Sequence, residues 1–264
     1  MLEIRQIRKV FNRGTPNEVR ALQGVDLTSK GEAFVVIIGT NGSGKTTLLN
    51  AVAGTFFVDS GSIFLDGNDI TRWPEHQRAK LIGRVFQNPF SGTAPHMTIA
   101  ENLALAVKRG LGRGLGWALH QRLTDEFRDM GLEDRLDSPI GTLSGGQRQA
   151  LTLLMATWLK PQLLLLDEHT AALDPKSAEQ VIELTAQIVR REKLNAMMVT
   201  HSMHQAVHLG DRLIMMSRGQ IIQDFQGAEK RRLRVDDLLT RFEEVRRAEQ
   251  LDESAAQMLA RLYV

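Results

Sequence analysis

The chain has 264 residues, 42% of them hydrophobic and 24% charged, with a formal net charge of +2 and no cysteine. That length holds one large domain or a domain with a subdomain, and the missing cysteines exclude disulfides, thiolate metal sites and a cysteine nucleophile. The small net charge gives no argument for nucleic acid, MLEIRQIRKVF carries charges where a signal peptide needs its apolar core, and no apolar run approaches the roughly 18 residues of a membrane span.

In chain order, LEIRQIRKVF and EVRALQGVDLTS read as short strands divided by the turn-rich NRGTPN. FVVIIG is a continuous apolar run, expected for a strand buried on both faces, followed by a helix from about Gly44 to a stop at Gly54. GSIFLDGNDI predicts another strand with an Asp-Gly turn. From about Asn88 to Leu159 the pattern is helical, interrupted by GLGRGLG (Gly110 to Gly116), which does not make GxGxxG and reads as a turn between helices.

LLLLDE predicts a second buried strand. An amphipathic helix follows, with Ala178, Val181, Ile182, Thr185, Ile188 and Val189 on one face. AMMVTH predicts a third apolar strand, and DRLIMMSRGQIIQD a hairpin around Arg218-Gly219. The tail from Gly227 is charged, of mixed sign and helical in spacing. Strands alternating with helices predict an α/β fold around a parallel sheet.

Gly39-Thr40-Asn41-Gly42-Ser43-Gly44-Lys45-Thr46-Thr47 matches G-x-x-x-x-G-K-[ST] between a strand and a helix, the context this phosphate-binding motif requires. Its glycines let the backbone N–H groups curl toward phosphate oxygens, and the helix adds its positive N-terminal end. Lys45 is expected on the β- and γ-phosphates and Thr46 on Mg²⁺. The acids that end LLLLDE then have a ligand: Asp167 for Mg²⁺, directly or through water, and Glu168 as base for the water attacking the γ-phosphate. Without the phosphate loop, two solvated acids in a loop would be the simpler reading.

Leu143-Ser144-Gly145-Gly146-Gln147 precedes a helix that is apolar nearly all round. Ser144 and Gln147 make a capping box, and the two glycines expose backbone N–H groups at the helix N-terminus, a second anion site; both readings stand.

Together, GTNGSGKTT, LSGGQ and LLLLDE resemble the ATP-binding subunit of an ABC (ATP-binding cassette) transporter, over residues 1 to about 225 and in the right order. The resemblance implies a P-loop NTPase (RecA-like) core with a parallel sheet, over about 1–88 and 160–227. It also implies an antiparallel β subdomain, a helical subdomain over about 89–159 and a helical tail over 228–264. Phe11 would stack on adenine, or else be a core aromatic. Gln87 in GRVFQNP would sense Mg²⁺ and the attacking water and link to the membrane subunit. Asp174 would be the acid at a dimer interface and also an N-cap before Pro175. His201 would contact the γ-phosphate.

The family implies a head-to-tail homodimer with ATP between one P-loop and the partner's LSGGQ. The form is that of an importer subunit at the cytoplasmic face of the cell membrane, serving a separate integral membrane permease and an extracytoplasmic substrate-binding protein. SGTAPHMTIAENLALA is where the family receives the permease's coupling helix. The wording of that stretch, with QRQALTLLMATWLKPQLLLLDEHTAALDPK, is similar to a narrower bacterial group of importer ATPases that partner a permease of the ribose or branched-chain amino-acid type and a substrate-binding lipoprotein, and the expected cargo is amino acids or related small molecules. Two positions depart from the family: Thr40 and His169 each stand where proline is common, and His169 is read either as a neutral variant or as tuning Glu168.

His204 and His208 have metal-ligand spacing without an evident third ligand. Lys230, Arg231, Arg232 and Arg234 are balanced by acids from Asp236 onward, and the three tryptophans are too scattered to stack on single-stranded nucleic acid. The alternative class is a soluble ABC ATPase acting on DNA or ribosomes. Only 57 positions (144 − 87) separate Gln87 from Ser144, with one cassette and no cysteine zinc site, and all three features argue against it.

Overall fold

The computed structural model describes the backbone of residues 1–108 and 135–262, and side chains of 1–106 and 135–249. The expected turn at Gly110 to Gly116, and the middle of the expected helical subdomain, lie outside the described residues.

The apolar runs are the centre of the molecule. FVVIIG forms β3 (Phe34–Gly39) and LLLLD forms β7 (Leu163–Asp167), with every residue of both buried. Asn195–Val199 (β8) joins them in a six-stranded sheet, which also holds β6 (Ile82–Val85), β9 (Arg212–Ser217) and β10 (Gln220–Gln226). The strand order is β10-β9-β3-β8-β7-β6. All neighbours are parallel except β9 and β10, the hairpin expected at Arg218-Gly219.

Period-two alternation divides these strands between two cores. Val36, Ile38, Leu164, Leu166, Met198 and Met215 face one cluster. It also takes Leu151 and Leu154 from α4 (Gly145–Thr157), Ile188 from α5 (Pro175–Arg191) and Ala206 from α6 (Met203–His208). Val35, Ile37, Leu163, Leu165, Met197 and Ile214 face the other, against Leu48, Leu49 and Val52 of α1 (Lys45–Ala53). The same cluster takes Leu2, Ile4, Leu22 and Ile63 from an antiparallel sheet of order β2-β1-β4-β5. Its strands are β1 (Leu2–Phe11), β2 (Val19–Ser29), β4 (Ser60–Leu65) and β5 (Asn68–Asp69).

A buried arginine ties α1 down. Arg78, at the end of α2 (Glu75–Arg78), is 1% exposed and donates to the carbonyls of Ala51, Val52, Thr71 and Trp73 at 2.8–3.0 Å. Two of those carbonyls belong to the last turn of α1, where a cation opposes the negative end of the helix.

Beyond α3 (Ile99–Lys108), the chain re-enters the first core at Ile140 and Leu143 before α4. After β10 come α7 (Gly227–Arg232) and the long α8 (Val235–Leu262). Leu238 is fully buried in the first core, with Phe242 and Val245 packed beside it. Burying one such leucine contributes about 1.5–3 kcal/mol. Among the described residues, no helix is long and apolar enough to cross a membrane.

Candidate active site

The loop between β3 and α1 is built by close approaches. A Cβ at Gly39 would stand 2.3 Å from the Met216 carbonyl oxygen, and one at Gly44 2.5 Å from that of Ala21. Gly44 has φ 97° and caps α1 without a side-chain bond, leaving the helix's first N–H groups available. Asn41 and Gly42 are exposed at the tip. Ser43 is buried, and its Oγ has no protein partner among the described residues.

Lys45 is 6% exposed and donates to the carbonyls of Gly39 at 3.0 Å and Thr40 at 2.9 Å. Burial pushes its ammonium down, against the pull of the Glu168, Asp167 and Glu249 carboxylates. Thr46, next along the helix, donates from Oγ1 to Asp167 Oδ1 at 3.2 Å, and Thr47 is half-buried behind it.

Asp167 ends β7, and burial raises its carboxyl above the usual range despite the Thr46 bond and the nearby Arg84. Glu168 follows with φ 47° and an N–H bond to the Val199 carbonyl at 3.1 Å. This turns its carboxylate toward the end of β8, where Oε1 lies 2.6 Å from His201 Nε2. Gln205 supports both loops: its Oε1 accepts from Thr200 Oγ1 at 2.5 Å and its Nε2 reaches Thr170 Oγ1 at 3.5 Å. Gln87 is exposed two residues past Val85, the register partner of Leu166.

His169 is 2% exposed, and its Nε2 lies 3.0 Å from Thr185 Oγ1. Thr185 spends its proton on the Val181 carbonyl, so His169 donates to it as the neutral Nε2–H tautomer. Burial pushes this imidazole down to about 4, so at neutral pH it shapes the Glu168 loop without adding charge.

Ser144 caps α4 with both bonds of a capping box: its Oγ accepts from the Gln147 N–H and Gln147 Oε1 accepts from the Ser144 N–H, each at 3.2 Å. Ser144 and Gly145 are exposed, and the two capping bonds use neither glycine N–H. Gly146 lies against α5, where an added Cβ would be 2.8 Å from Ser177 Cβ. Asp174 caps α5 through the Ser177 N–H at 3.0 Å, with Pro175 in the first turn. Gln149 Nε2 of α4 donates to the Phe86 carbonyl at 3.1 Å, next to Gln87.

Phe11 is half-buried at the end of β1, edge-on to Phe56 with centroids 5.2 Å apart. Three loops with complementary chemistry, an anion cradle after β3 and a carboxylate–imidazole pair shared by the loops after β7 and β8, therefore stand where open α/β sheets bind ligands.

A family model described as ABC transporter matches residues 22–171. The chain belongs to the ABC transporter family. A tyrosine transport ATP-binding protein of Clostridioides difficile (strain R20291) is 43% identical over 250 residues, covering 92% of this chain and 99% of that protein. A spermidine/putrescine import ATP-binding protein, PotA of Haemophilus influenzae, is 35% identical over 224 residues, 85% of this chain and 57% of its own length. Among solved structures, the dimeric post-hydrolysis cassette MJ0796 bound to ADP and Pi matches with a TM-score of 0.74 at 27% identity, over 86% of this chain and 98% of that one. The ABC cassette fold is thus present, with its parallel sheet and antiparallel subdomain, and the chain is an ABC transporter ATPase.

Four residues packed around these loops escape sequence motifs. Gln205 and Thr185 act through bonds to other loops, and Arg84 approaches Asp167 from β6 while bonding Asn50 and Thr55. Glu249 reaches the P-loop from α8. His204 and His208 stack at 4.1 Å, with His208 Nδ1 on the His204 carbonyl, and no group of three metal-ligating side chains occurs among the described residues.

Proposed function

We propose that this chain is the motor subunit of an importer for amino acids or related small molecules. It works as a head-to-tail homodimer on the cytoplasmic face of the cell membrane, with a separate permease and an extracytoplasmic substrate-binding protein. The observation that carries the amino-acid reading is the near full-length match to a tyrosine transport ATP-binding protein, and the match to a spermidine/putrescine import ATP-binding protein supports the direction.

In this reading the Gly39–Thr46 loop cradles the triphosphate: the N–H groups of Asn41 to Thr47 and the start of α1 meet the phosphates, and Lys45 turns from its loop carbonyls to them. The orphaned Ser43 hydroxyl inside the cradle supports it. Phe11 supplies an aromatic face for adenine. Thr46 Oγ1 and Asp167 Oδ1, 3.2 Å apart, are hard oxygen donors beside the phosphate site, and with Gln87 they fit Mg²⁺. When bound, Mg²⁺ would neutralise charge on the β- and γ-phosphates.

Glu168 accepts a proton from water as that water's oxygen bonds the γ-phosphorus and the bond to the β,γ-bridging oxygen breaks. His201 holds the Glu168 carboxylate and reaches the γ-phosphate. The partner's Ser144, Gly145, Gly146 and Gln147 close over the same phosphate, with Asp174 at the interface. ATP closes the pair and hydrolysis releases it.

A groove of ≈ 1320 Å³ supports the permease as partner. It runs between the antiparallel side of the core and α3–α4, and Phe56, Phe57, Glu75, Phe86, Leu105 and Met155 are among the residues lining it. Phe57 and Leu105 are 44% and 46% exposed, apolar surface suited to a helix of a second protein. The test is to tag the chain in its native cell, solubilise membranes gently and identify the co-purifying proteins. A multi-spanning permease is expected, lost from a Leu105→Glu variant. Recovery of ribosomal or DNA-bound proteins instead would leave the ATPase and overturn the transport reading.

A further inference from the structure

The C-terminal helix ends its packing face on the nucleotide loop. Leu238, Phe242, Val245 and Glu249 recur at spacings of four, three and four, so they line one face of α8. The first three pack on the core, and the fourth is a half-buried carboxylate. Glu249 Oε1 accepts from Thr40 Oγ1 at 3.1 Å and from Ser217 Oγ at 2.5 Å. Its main-chain carbonyl accepts from Arg218 Nη2 at 3.1 Å.

Thr40 is the second residue of the P-loop, and its own carbonyl accepts from Lys45. One residue is therefore held through its side chain by an anion and through its backbone by the phosphate-binding cation. The Glu249 charge is felt at Lys45, where it opposes the effect of burial. The placement is unusual because every other device in this loop attracts negative charge: free helix N–H groups, curled backbone and a buried ammonium.

We infer that Glu249 is a positioning residue of the nucleotide site, through which α8 holds the P-loop at Thr40 and opposes entry of a nucleoside triphosphate. The inference rests on Gly39–Thr46 being the ATP phosphate site. An arriving triphosphate brings several negative charges beside this carboxylate, and α8 must let Thr40 go or pay the repulsion. The contact is partly solvated, so the effect is moderate and salt-sensitive, roughly 3- to 10-fold in affinity at low ionic strength.

The experiment is calorimetric titration of the full chain with ATP in EDTA, which prevents turnover, at low and high ionic strength. Glu249→Gln keeps the shape and removes the charge, and it is expected to bind ATP about 3- to 10-fold tighter than wild type, with the gap closing at high salt. Thr40→Val removes the hydroxyl that draws the carboxylate onto the loop; it is expected to tighten binding too, and adding Glu249→Gln to it should give less than the product of the two effects. A brace with no electrostatic role would instead weaken ATP binding in both variants, independently of salt. Equal or weaker binding by Glu249→Gln overturns the inference while leaving the ATP site standing. If wild type bound no ATP, the phosphate-site assignment would fall with it.

Discussion

The Glu168 carboxylate and the His201 ring meet at 2.6 Å across the ends of the adjacent parallel strands β7 and β8. Glu168 reaches His201 from a left-handed backbone conformation that costs a non-glycine residue about 1–2 kcal/mol. The bond from its N–H to Val199 and the Gln205 bridge between the two loops hold it there. Strain held at the end of a buried strand aims one carboxylate, and the neighbouring Asp167 points instead at Thr46.

Lys45→Ala removes a charge-assisted donor from the cradle. Such bonds are worth about 1.5–3 kcal/mol, so ATP affinity is expected to fall roughly 10- to 100-fold. Titration with ATP in EDTA measures it, and unchanged affinity would remove Lys45 from the phosphate site.

His169 gives the fold a defined pH response. Its imidazole sits at about 4 in the folded chain against 6.5 as its ordinary value. The unfolded chain therefore binds more protons between these values, and stability is fully present above pH 6.5 and lost as pH falls through 4. A displacement of that size corresponds to about 3 kcal/mol. Thermal unfolding of His169→Gln, which keeps a donor for Thr185, should show a flatter dependence across this window; an unaltered slope would assign the acid sensitivity elsewhere.

How much of this was legible in the sequence depends on the range of the constraint. FVVIIG, LLLLD and the two glycine-rich helix starts announce themselves because burial, turn and cap act within a few residues. Arg78 does not, because its partners Ala51 and Val52 lie on another helix and a lone arginine in EHQR reads as surface. Glu249 lies in a tail whose mixed charges single out no buried face, and the spacing of Leu238, Phe242 and Val245 is the available signal. Thr40 stands out in the sequence only as a departure from proline, and its hydroxyl has a use that no residue near it in sequence reveals.

Arg78→Met should destabilise the chain by roughly 2–4 kcal/mol, since it strips a buried cation from four carbonyls. Denaturant unfolding checks this, and a loss under about 0.5 kcal/mol, the ordinary surface value, would mean the carbonyls find other partners.

Gly146→Ala should lower ATPase activity roughly tenfold, because the new Cβ strikes Ser177 and displaces the start of α4. Adding Ser177→Gly should restore most of the rate. No recovery would show that position 146 needs glycine for its exposed backbone and not for its fit against α5.

The assembly of ATP between one P-loop and the partner's Ser144–Gln147, with Glu168 as base, is decided by one variant. Glu168→Gln should hydrolyse ATP about 10²–10⁴-fold more slowly while still binding it, and should sediment as a dimer with MgATP and as a monomer without. A variant that turned over at the wild-type rate, or stayed monomeric at saturating MgATP, would contradict the assignment.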